Sequence, residues 1–211
     1  DGSMAEAGII NLRFPYNANP ILRKQINEGK AFYIDQHLSH NAEYVRQGVL
    51  PQIDYAIIEA AAITEDGDII PTGSVGNSPI YVETAKHVII EVNVSAPAAY
   101  EGLHDIYIPG PAGENARCDI PLCEVSQRIG TKGIKVDPAK VRGIVISSEP
   151  DIPSPLFEPN EETQQIADNL LHFLKEEVAS GRLPNNLAPL QSGVGSVANA
   201  VLNGMQKSGF K

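Results

Sequence analysis

Three apolar runs constrain the fold of this chain more than any other feature of its sequence. They are IDYAIIEAAAI (53–63), KHVIIEVN (86–93) and RGIVIS (142–147), all rich in β-branched residues. Apolar and polar residues alternate little within them, which is typical of strands buried on both faces of a parallel sheet. Helical or loop-like segments separate the runs. The pattern predicts an α/β fold with an open, mainly parallel sheet and flanking helices.

Three helices are predicted around this sheet. Asn19 followed by Pro20 is a typical helix start and predicts a helix from Pro20 to about Glu28, with Gly29 as its stop. A second helix is expected after Asn160, with an apolar stripe of Ile166, Leu170, Phe173, Leu174 and Val178. A third is expected near the end of the chain, with apolar residues at Val194, Val197, Ala198, Val201, Leu202 and Met205.

Residues 96–140 form a long connection between the second and third apolar runs. Gly, Pro and polar residues dominate it without a clean period. Long connections in compact domains are usually functional, form interfaces or are mobile, and we expect one of these properties here. The sequence contains no internal repeat and no linker that clearly divides the chain.

Composition excludes several function classes. The chain has 211 residues, a formal net charge of -10 and a pI near 4.9, without a Lys/Arg cluster. This argues against nucleic acid and membrane as partners, because both attract basic surfaces. No apolar run in the given sequence approaches a membrane span, and none has the charged-then-apolar form of a signal peptide. A cytoplasmic protein with reduced Cys118 and Cys123 is expected, or a mitochondrial one if the source is eukaryotic.

The histidines do not predict a metal site. His37 and His40 are three residues apart but lack a carboxylate-rich pattern, and His104 beside Asp105 lacks a third ligand. His87 and His172 lie within predicted elements and are expected to pack there. The sequence also lacks a GxSxG elbow and a Walker lysine pattern, which argues against a serine hydrolase and a P-loop nucleotidase.

The stretch QSGVGSVANAV (191–201) is the strongest candidate for chemistry. Gly193 and Gly195 allow a positive φ and close approach of a ligand, and the helix that follows would present unpaired N–H groups and a partial positive charge. An anion or a developing oxyanion would be stabilised there. The alternative is a tight turn that needs glycine for helix packing alone.

Two weaker candidates follow the first apolar runs. The loop EDGDIIPTGSVGNSP (65–79) lies after a predicted strand, where open α/β sheets bind ligands. A hairpin-like EDG turn and a helix cap at Asn77 or Ser78 explain it better than ligand contact. Glu59 and Glu91 are each expected to close an apolar strand, where a carboxylate could act as a base, bind a ribose hydroxyl, cap a helix or pair with a cation.

Several stretches together resemble one family over essentially the whole chain. They are AIIEAAAITEDGDIIPTGSVGNSP, KHVIIEVN, YEGLHDI and GRLPNNLAPLQSGVGSVANAVLNG. They are similar to the acetyl-CoA hydrolase/transferase family, which includes succinyl-CoA:acetate CoA-transferases. The resemblance implies a CoA-transferase-like (NagB/RpiA-type) domain, with residues 1–211 as the later part of the first of two related domains.

The resemblance also implies a mechanism and a site. In that family a glutamate carboxylate attacks the acyl-CoA thioester, a glutamyl-CoA thioester forms, and an acceptor carboxylate then takes the CoA. The glycine turn would lie at the CoA thioester, with the Val194 N–H in the oxyanion hole. The implied binding residues are Gln191, Ser192, Gly193, Val194, Gly195 and Ser196.

Two differences from the family qualify what is carried over. Ser196 stands where the family commonly has asparagine. The resemblance therefore implies a role for the backbone of Ser196, but not for its side chain. The family's nucleophilic glutamate lies beyond the glycine motif, and no glutamate follows Gly195 here, so we expect this fragment alone to be inactive.

The whole protein is expected to use acyl-CoA and small carboxylates, without a metal, and to be a homo-oligomer. There are two alternatives to CoA transfer. The protein could hydrolyse acetyl-CoA, or it could be a noncatalytic ligand-binding module on the same scaffold.

Overall fold

The computed structural model describes residues 2–110, 117–150, 158–193 and 195–210. They form two compact units: unit 1 takes its residues from 1–121 and 128–151, and unit 2 from 122–127 and 152–211. The sequence analysis found no clear linker between them. The sequence does indicate a boundary, because four prolines lie at positions 150–159. Proline-rich segments are typical of boundaries between compact units.

Unit 1 is built on a four-stranded sheet. Its strands are β3 (Tyr55–Ile63), β4 (Ile69–Pro71), β5 (His87–Asn93) and β6 (Val141–Ser147), in the order β4-β3-β5-β6. Strands β3, β5 and β6 are parallel, and β4 is antiparallel to β3. A separate parallel pair is formed by β1 (Leu12–Arg13) and β2 (Phe32–Tyr33). The mainly parallel α/β sheet predicted from the three apolar runs is confirmed.

Among the described residues, four α-helices belong to unit 1 and two to unit 2. The first four are α1 (Gly2–Glu6), α2 (Pro20–Asn27), α3 (Leu38–Arg46) and α4 (Ser78–Thr84), and the last two are α5 (Glu161–Ala179) and α6 (Ser196–Gln206). The α2 helix begins as predicted, because Asn19 Oδ1 accepts hydrogen bonds from the N–H groups of Ile21 and Leu22, both at 3.0 Å. Within the described residues, none of these helices combines the length and the apolar character that crossing a membrane requires.

The prediction that the strands are buried on both faces is wrong for β6 and for β3. Ile144, Val145 and Ile146 of β6 are 55%, 51% and 65% exposed. The burial of β3 alternates, so that Ala56, Ile58 and Ala60 join the core while Tyr55 and Ile57 are 55% and 66% exposed. The core side packs against α4 and the long connection, through residues such as Val82, Ala85, Ile106 and Ile134. A strand formed by an apolar run is therefore buried on one face only when other elements of the protein pack against that face alone.

The described part of the long connection closes this core. Ile106 and Ile134 are 8% and 2% exposed. Ile106 forms a bridge with Thr131, and Ile134 forms one with Ile69. These backbone pairs give the connection a structural role that its composition did not reveal.

The loop at 65–79 contains the hairpin turn and the helix start expected of it. Gly67, at φ +88°, turns the chain between β3 and β4, and α4 begins at Ser78 after Asn77. Asn77 does not cap the helix with its side chain, however. Its Nδ2 donates instead to the Oδ1 of the fully buried Asn41 at 2.7 Å, and the Tyr81 hydroxyl donates to the same oxygen at 2.6 Å. This buried network joins α3 to α4.

Unit 2 is a helix pair whose packing face differs from the predicted one. Asn160 caps α5 as expected, and the structure adds a capping box with Thr163. The buried residues of α5 are Thr163, Ala167 and Leu171, whereas the predicted stripe residues Ile166, Leu170 and Phe173 are 42%, 39% and 53% exposed.

The α6 helix forms as predicted, but Ala200 is its buried residue, and Val197 and Leu202 are exposed. A Cβ at Gly204 would lie 2.5 Å from Leu171 Cδ1. Small residues on α6 therefore bring the two helices together, and the larger apolar side chains lie beside the contact. Val194, which the sequence analysis placed at the start of this stripe, lies outside the described residues.

Candidate functional site

The glycine turn before α6 has the backbone geometry that a ligand-binding turn requires. Gly195 occupies the N-cap position of α6 with φ 142° and ψ 171°, a conformation essentially restricted to glycine. No side chain caps the helix there. The first hydrogen bond into the helix runs from the Asn199 N–H to the Gly195 carbonyl at 3.0 Å. The N–H groups of the first turn, from Ser196 to Ala198, therefore have no acceptor inside the helix.

The other predicted residues of the turn are exposed. Gln191, Ser192, Gly193 and Ser196 are all accessible, and a Cβ added at Gly193 or Gly195 would meet no atom within 4 Å. Packing therefore does not explain either glycine, which argues against the alternative that they serve close helix packing alone. Val194, the expected oxyanion-hole residue, lies outside the described residues. Its role stays a prediction.

A second polar group lies near the carboxyl ends of the parallel strands in unit 1. Glu59, in the middle of β3 and one residue before its parallel pairing with β5 ends, accepts a hydrogen bond at each carboxylate oxygen. The Thr72 hydroxyl donates to Oε2 at 3.0 Å, and Asn93 Nδ2 donates to Oε1 at 2.9 Å. Ligands of open α/β sheets bind beyond this edge, so an oriented carboxylate here is well placed for ligand contact.

Asn93, at the end of β5, ties the strand ends together. It is 5% exposed. Its Nδ2 also donates to the Glu149 carbonyl at 2.7 Å, and its Oδ1 accepts from the Ser95 N–H at 3.0 Å. The Ser95 hydroxyl in turn donates to the Ser148 carbonyl at 2.6 Å. Sequence reasoning missed Asn93 as a site residue, although a polar side chain closing a buried strand was the signal.

His104 joins the same group through the backbone. Its Nε2 lies 2.7 Å from the Thr72 carbonyl, and because a carbonyl can only accept, Nε2 carries the proton. Thr72 therefore connects His104 to Glu59. The structure thus brings together two residues whose roles the sequence left open.

Glu91 is not part of this group. It lies in register with Glu59 on the neighbouring strand, on the same face of the sheet. Within the part of the chain that the structure describes, its side chain forms no hydrogen bond or ion pair. Both glutamates occur in similar apolar runs of the sequence, but hydrogen bonds orient only the Glu59 carboxylate.

Asp105 fixes the long connection beside His104. Its carboxylate accepts hydrogen bonds from the N–H groups of Ile129 at 3.0 Å and Gly130 at 2.7 Å. Arg128 adds a hydrogen bond to the His104 carbonyl. The two backbone donors, with a smaller contribution from the charge of Arg128, hold the pKa of Asp105 below its ordinary value of 3.8.

This lowered pKa predicts how the stability of the protein depends on pH. A carboxyl whose pKa is lower in the folded state stabilises the fold above its unfolded pKa, and the contribution is lost as the pH falls through the folded pKa. We therefore expect wild type to have a higher free energy of unfolding than Asp105→Asn at pH 7, with the difference closing below pH 3.8. Urea titrations between pH 7 and pH 3 measure it, and a constant difference would contradict the assignment.

The histidines outside this group are structural or exposed. The rings of His37 and His40 contact each other with centroids 5.3 Å apart, and His87 packs against Tyr55 at 5.0 Å. His172 does not pack as expected, since its side chain is 76% exposed beside Glu176. Across the described ranges, no three His, Cys, Asp or Glu side chains come together as a metal ion would require. The absence of a metal stays a prediction.

Comparisons with known proteins agree with the fold and with the resemblance in sequence. The chain is 48% identical to a succinyl-CoA:acetate CoA-transferase of Clostridium kluyveri, over 100% of this chain and 39% of that protein. It is 45% identical to an acetyl-CoA hydrolase of Schizosaccharomyces pombe, over 98% of this chain and 40% of that protein. The chain thus spans about two fifths of the length of these relatives.

A solved structure supports the fold. The crystal structure of a 4-hydroxybutyrate CoA-transferase from Porphyromonas gingivalis matches with a TM-score of 0.52 and 18% identity, over 97% of this chain and 43% of that chain. The expected CoA-transferase-like fold is therefore confirmed. Residues 1–147 also match the family described as acetyl-CoA hydrolase/transferase N-terminal domain. The chain belongs to the acetyl-CoA hydrolase/transferase family.

Proposed function

We propose that the intact gene product transfers CoA from an acyl-CoA to a small carboxylate through a glutamyl-CoA thioester. The observation that carries this proposal is the 48% identity, over the whole chain, to a protein named as a succinyl-CoA:acetate CoA-transferase. Residues 1–211 would form the later part of its N-terminal CoA-transferase domain. The nucleophilic glutamate would come from outside this sequence.

The glycine turn fits the chemistry of such a transfer. Each step passes through a tetrahedral intermediate whose oxyanion must be stabilised, and preorganised backbone N–H groups do this effectively. In the proposed site the Val194 N–H donates to the oxyanion. Gly193, Gly195 and Ser196, with Gln191 and Ser192, line the path of the CoA thioester. The uncapped first turn of α6 and the glycine-specific conformation of Gly195 support this assignment.

Acetyl-CoA hydrolysis is the second candidate. It is favoured by the 45% identity to a protein named as an acetyl-CoA hydrolase. The two reactions differ in whether water or a carboxylate intercepts the covalent intermediate. Transfer is preferred because a site that excludes water preserves a reactive acyl intermediate. We further propose that the intact protein is a cytoplasmic homo-oligomer that needs no metal.

The test follows loss of the acetyl-CoA thioester by the intact gene product, with and without succinate, and measures succinyl-CoA formation. Succinate-dependent loss with matching succinyl-CoA is the expected result. Loss that is indifferent to succinate and releases free CoA would support the hydrolase. No loss with acetyl-CoA, succinyl-CoA or propanoyl-CoA would contradict both and leave the noncatalytic module.

A further inference from the structure

Leu187 has a backbone conformation that leucine disfavours. Its φ is +53°, and among the described residues it is the only one other than glycine with a positive φ. In this left-handed region the Cβ of an L residue crowds the backbone, so glycine and asparagine are the usual occupants. Asparagine stands at both preceding positions, Asn185 and Asn186, yet leucine occupies the left-handed one. Local backbone preference therefore does not explain Leu187.

Burial of the side chain offers an explanation. Leu187 is 6% exposed, and of the described residues between Leu171 and Ala200 it is the only buried one. Removal of a large apolar side chain from water is favourable enough to offset a strained backbone. Leu187 is therefore the point at which the connection from α5 to α6 is fixed to the folded protein.

Hydrogen bonds hold the backbone on both sides of Leu187. Its own N–H donates to the Pro184 carbonyl at 2.9 Å. The next N–H, of Ala188, donates to Asn186 Oδ1 at 3.1 Å. Both peptide groups that flank Leu187 are thus oriented, and with them the direction in which the chain continues.

The chain that follows has little to hold it. Residues 189–193 form no backbone–backbone hydrogen bond with the described residues, and Leu190 is 55% exposed. The next fixed point is Gly195, whose carbonyl accepts the first hydrogen bond of α6 from the Asn199 N–H. The glycine turn therefore lies between two fixed points, Leu187 and the start of α6.

We propose that Leu187 is a positioning residue for the glycine turn and acts through its buried side chain. The inference rests on the proposed function, because it assumes that N–H groups of this turn face the thioester. An oxyanion-hole donor must point at the developing charge, and a displacement of about 1 Å can cost a large part of the rate. Without the fixed point at Leu187 the turn would occupy several positions, and its donors would be aligned only part of the time.

The test compares three substitutions of Leu187 in the intact gene product by steady-state kinetics. Leu187→Ala is expected to lower kcat for CoA transfer about tenfold, less than the loss of a donor outright. Leu187→Gly should lower it equally, although glycine suits the left-handed backbone, because the side chain is what holds the turn. Leu187→Met keeps an apolar side chain of similar volume and should stay within about twofold of wild type.

The matched control is Leu171→Ala in α5. Leu171 is 8% exposed and lies against Gly204, near the other end of α6 from the glycine turn. Its loss is expected to lower Tm at least as much as Leu187→Ala does, since both remove a buried leucine. Its kcat, measured well below Tm, should stay within about twofold of wild type. A fall in kcat shared by both variants would overturn the positioning role.

Limited proteolysis with thermolysin reports on the turn without any catalysis. We expect Leu187→Ala to raise the rate of cleavage between residues 188 and 196 about tenfold, and Leu171→Ala to leave it within about twofold, with the fragments identified by mass spectrometry. An unchanged rate in Leu187→Ala would overturn the inference, as would wild-type kcat in Leu187→Gly. If cleavage rises as expected but wild type transfers no CoA, the proposed function fails while Leu187 still holds the turn.

Discussion

Replacing Gly195 by alanine is expected to lower kcat for CoA transfer by the intact gene product about 100-fold, the effect of losing one oxyanion-hole donor. The reason is conformational, because Gly195 has φ 142° and ψ 171° and its added Cβ would meet no atom within 4 Å. An L residue avoids this conformation at a cost of about 1–3 kcal/mol. The turn should therefore rearrange, and with it the N–H groups proposed to face the thioester.

Gly193→Ala is the matched control for this prediction. Gly193 is two residues away in the same turn, its Cβ would also enter open space, and its φ is outside the left-handed range. Because Gly193 is proposed to line the path of the CoA thioester, its added methyl group is expected to raise the KM for acyl-CoA, whereas kcat should fall at most a few-fold, well below the effect at Gly195. Thermal melts should show that both variants fold. Equal kcat values for the two variants would remove the glycine-specific backbone from the proposed mechanism.

Replacing Gly130 by alanine is expected to lower the free energy of unfolding by about 3 kcal/mol, at the upper end of overpacking effects. A Cβ at this position would lie 2.2 Å from the Ile106 carbonyl oxygen, 2.3 Å from its carbon and 2.8 Å from the Tyr107 nitrogen. All three atoms belong to the backbone and cannot rotate away. Relief requires breaking the two 2.9 Å hydrogen bonds that join Ile106 to Thr131.

Gly143→Ala in β6 provides the comparison. Its Cβ would meet no atom within 4 Å, and alanine suits a strand at least as well as glycine. Its free energy of unfolding should stay within about 0.5 kcal/mol of wild type. Urea denaturation followed by circular dichroism measures both variants. A Gly130→Ala variant as stable as Gly143→Ala would show that the connection does not hold the core together as described.

The candidate site was predictable in part from the sequence. The glycine turn and its following helix could be recognised, because glycine spacing and helical periodicity are local properties of the chain. The Glu59 group could not, since Thr72, Asn93 and His104 are far apart in sequence and meet through the sheet. Glu59 and Glu91 are neighbours because of the register between β3 and β5, which cannot be read from the sequence.

Helix packing shows the same limit. The periodicity around α5 correctly predicted a helix with a cap at Asn160, yet the apolar stripe with Ile166 and Phe173 is not the face that packs. Contact instead occurs where small residues of α6, such as Ala200 and Gly204, let the helices approach closely. Hydropathy ranks side chains by polarity, whereas packing also depends on their size and on the matching surface.

By itself the sequence determined the α/β class, the three parallel strands, the helix starts at Asn19 and Asn160, and the glycine turn before α6. These features depend on residues close together in the chain, where backbone preferences and periodicity act directly. Only the tertiary structure decided which face of β3 is buried, which face of α5 packs and which of the two strand carboxylates is oriented. Those outcomes depend on contacts between distant segments, whose geometry is set when the elements pack together.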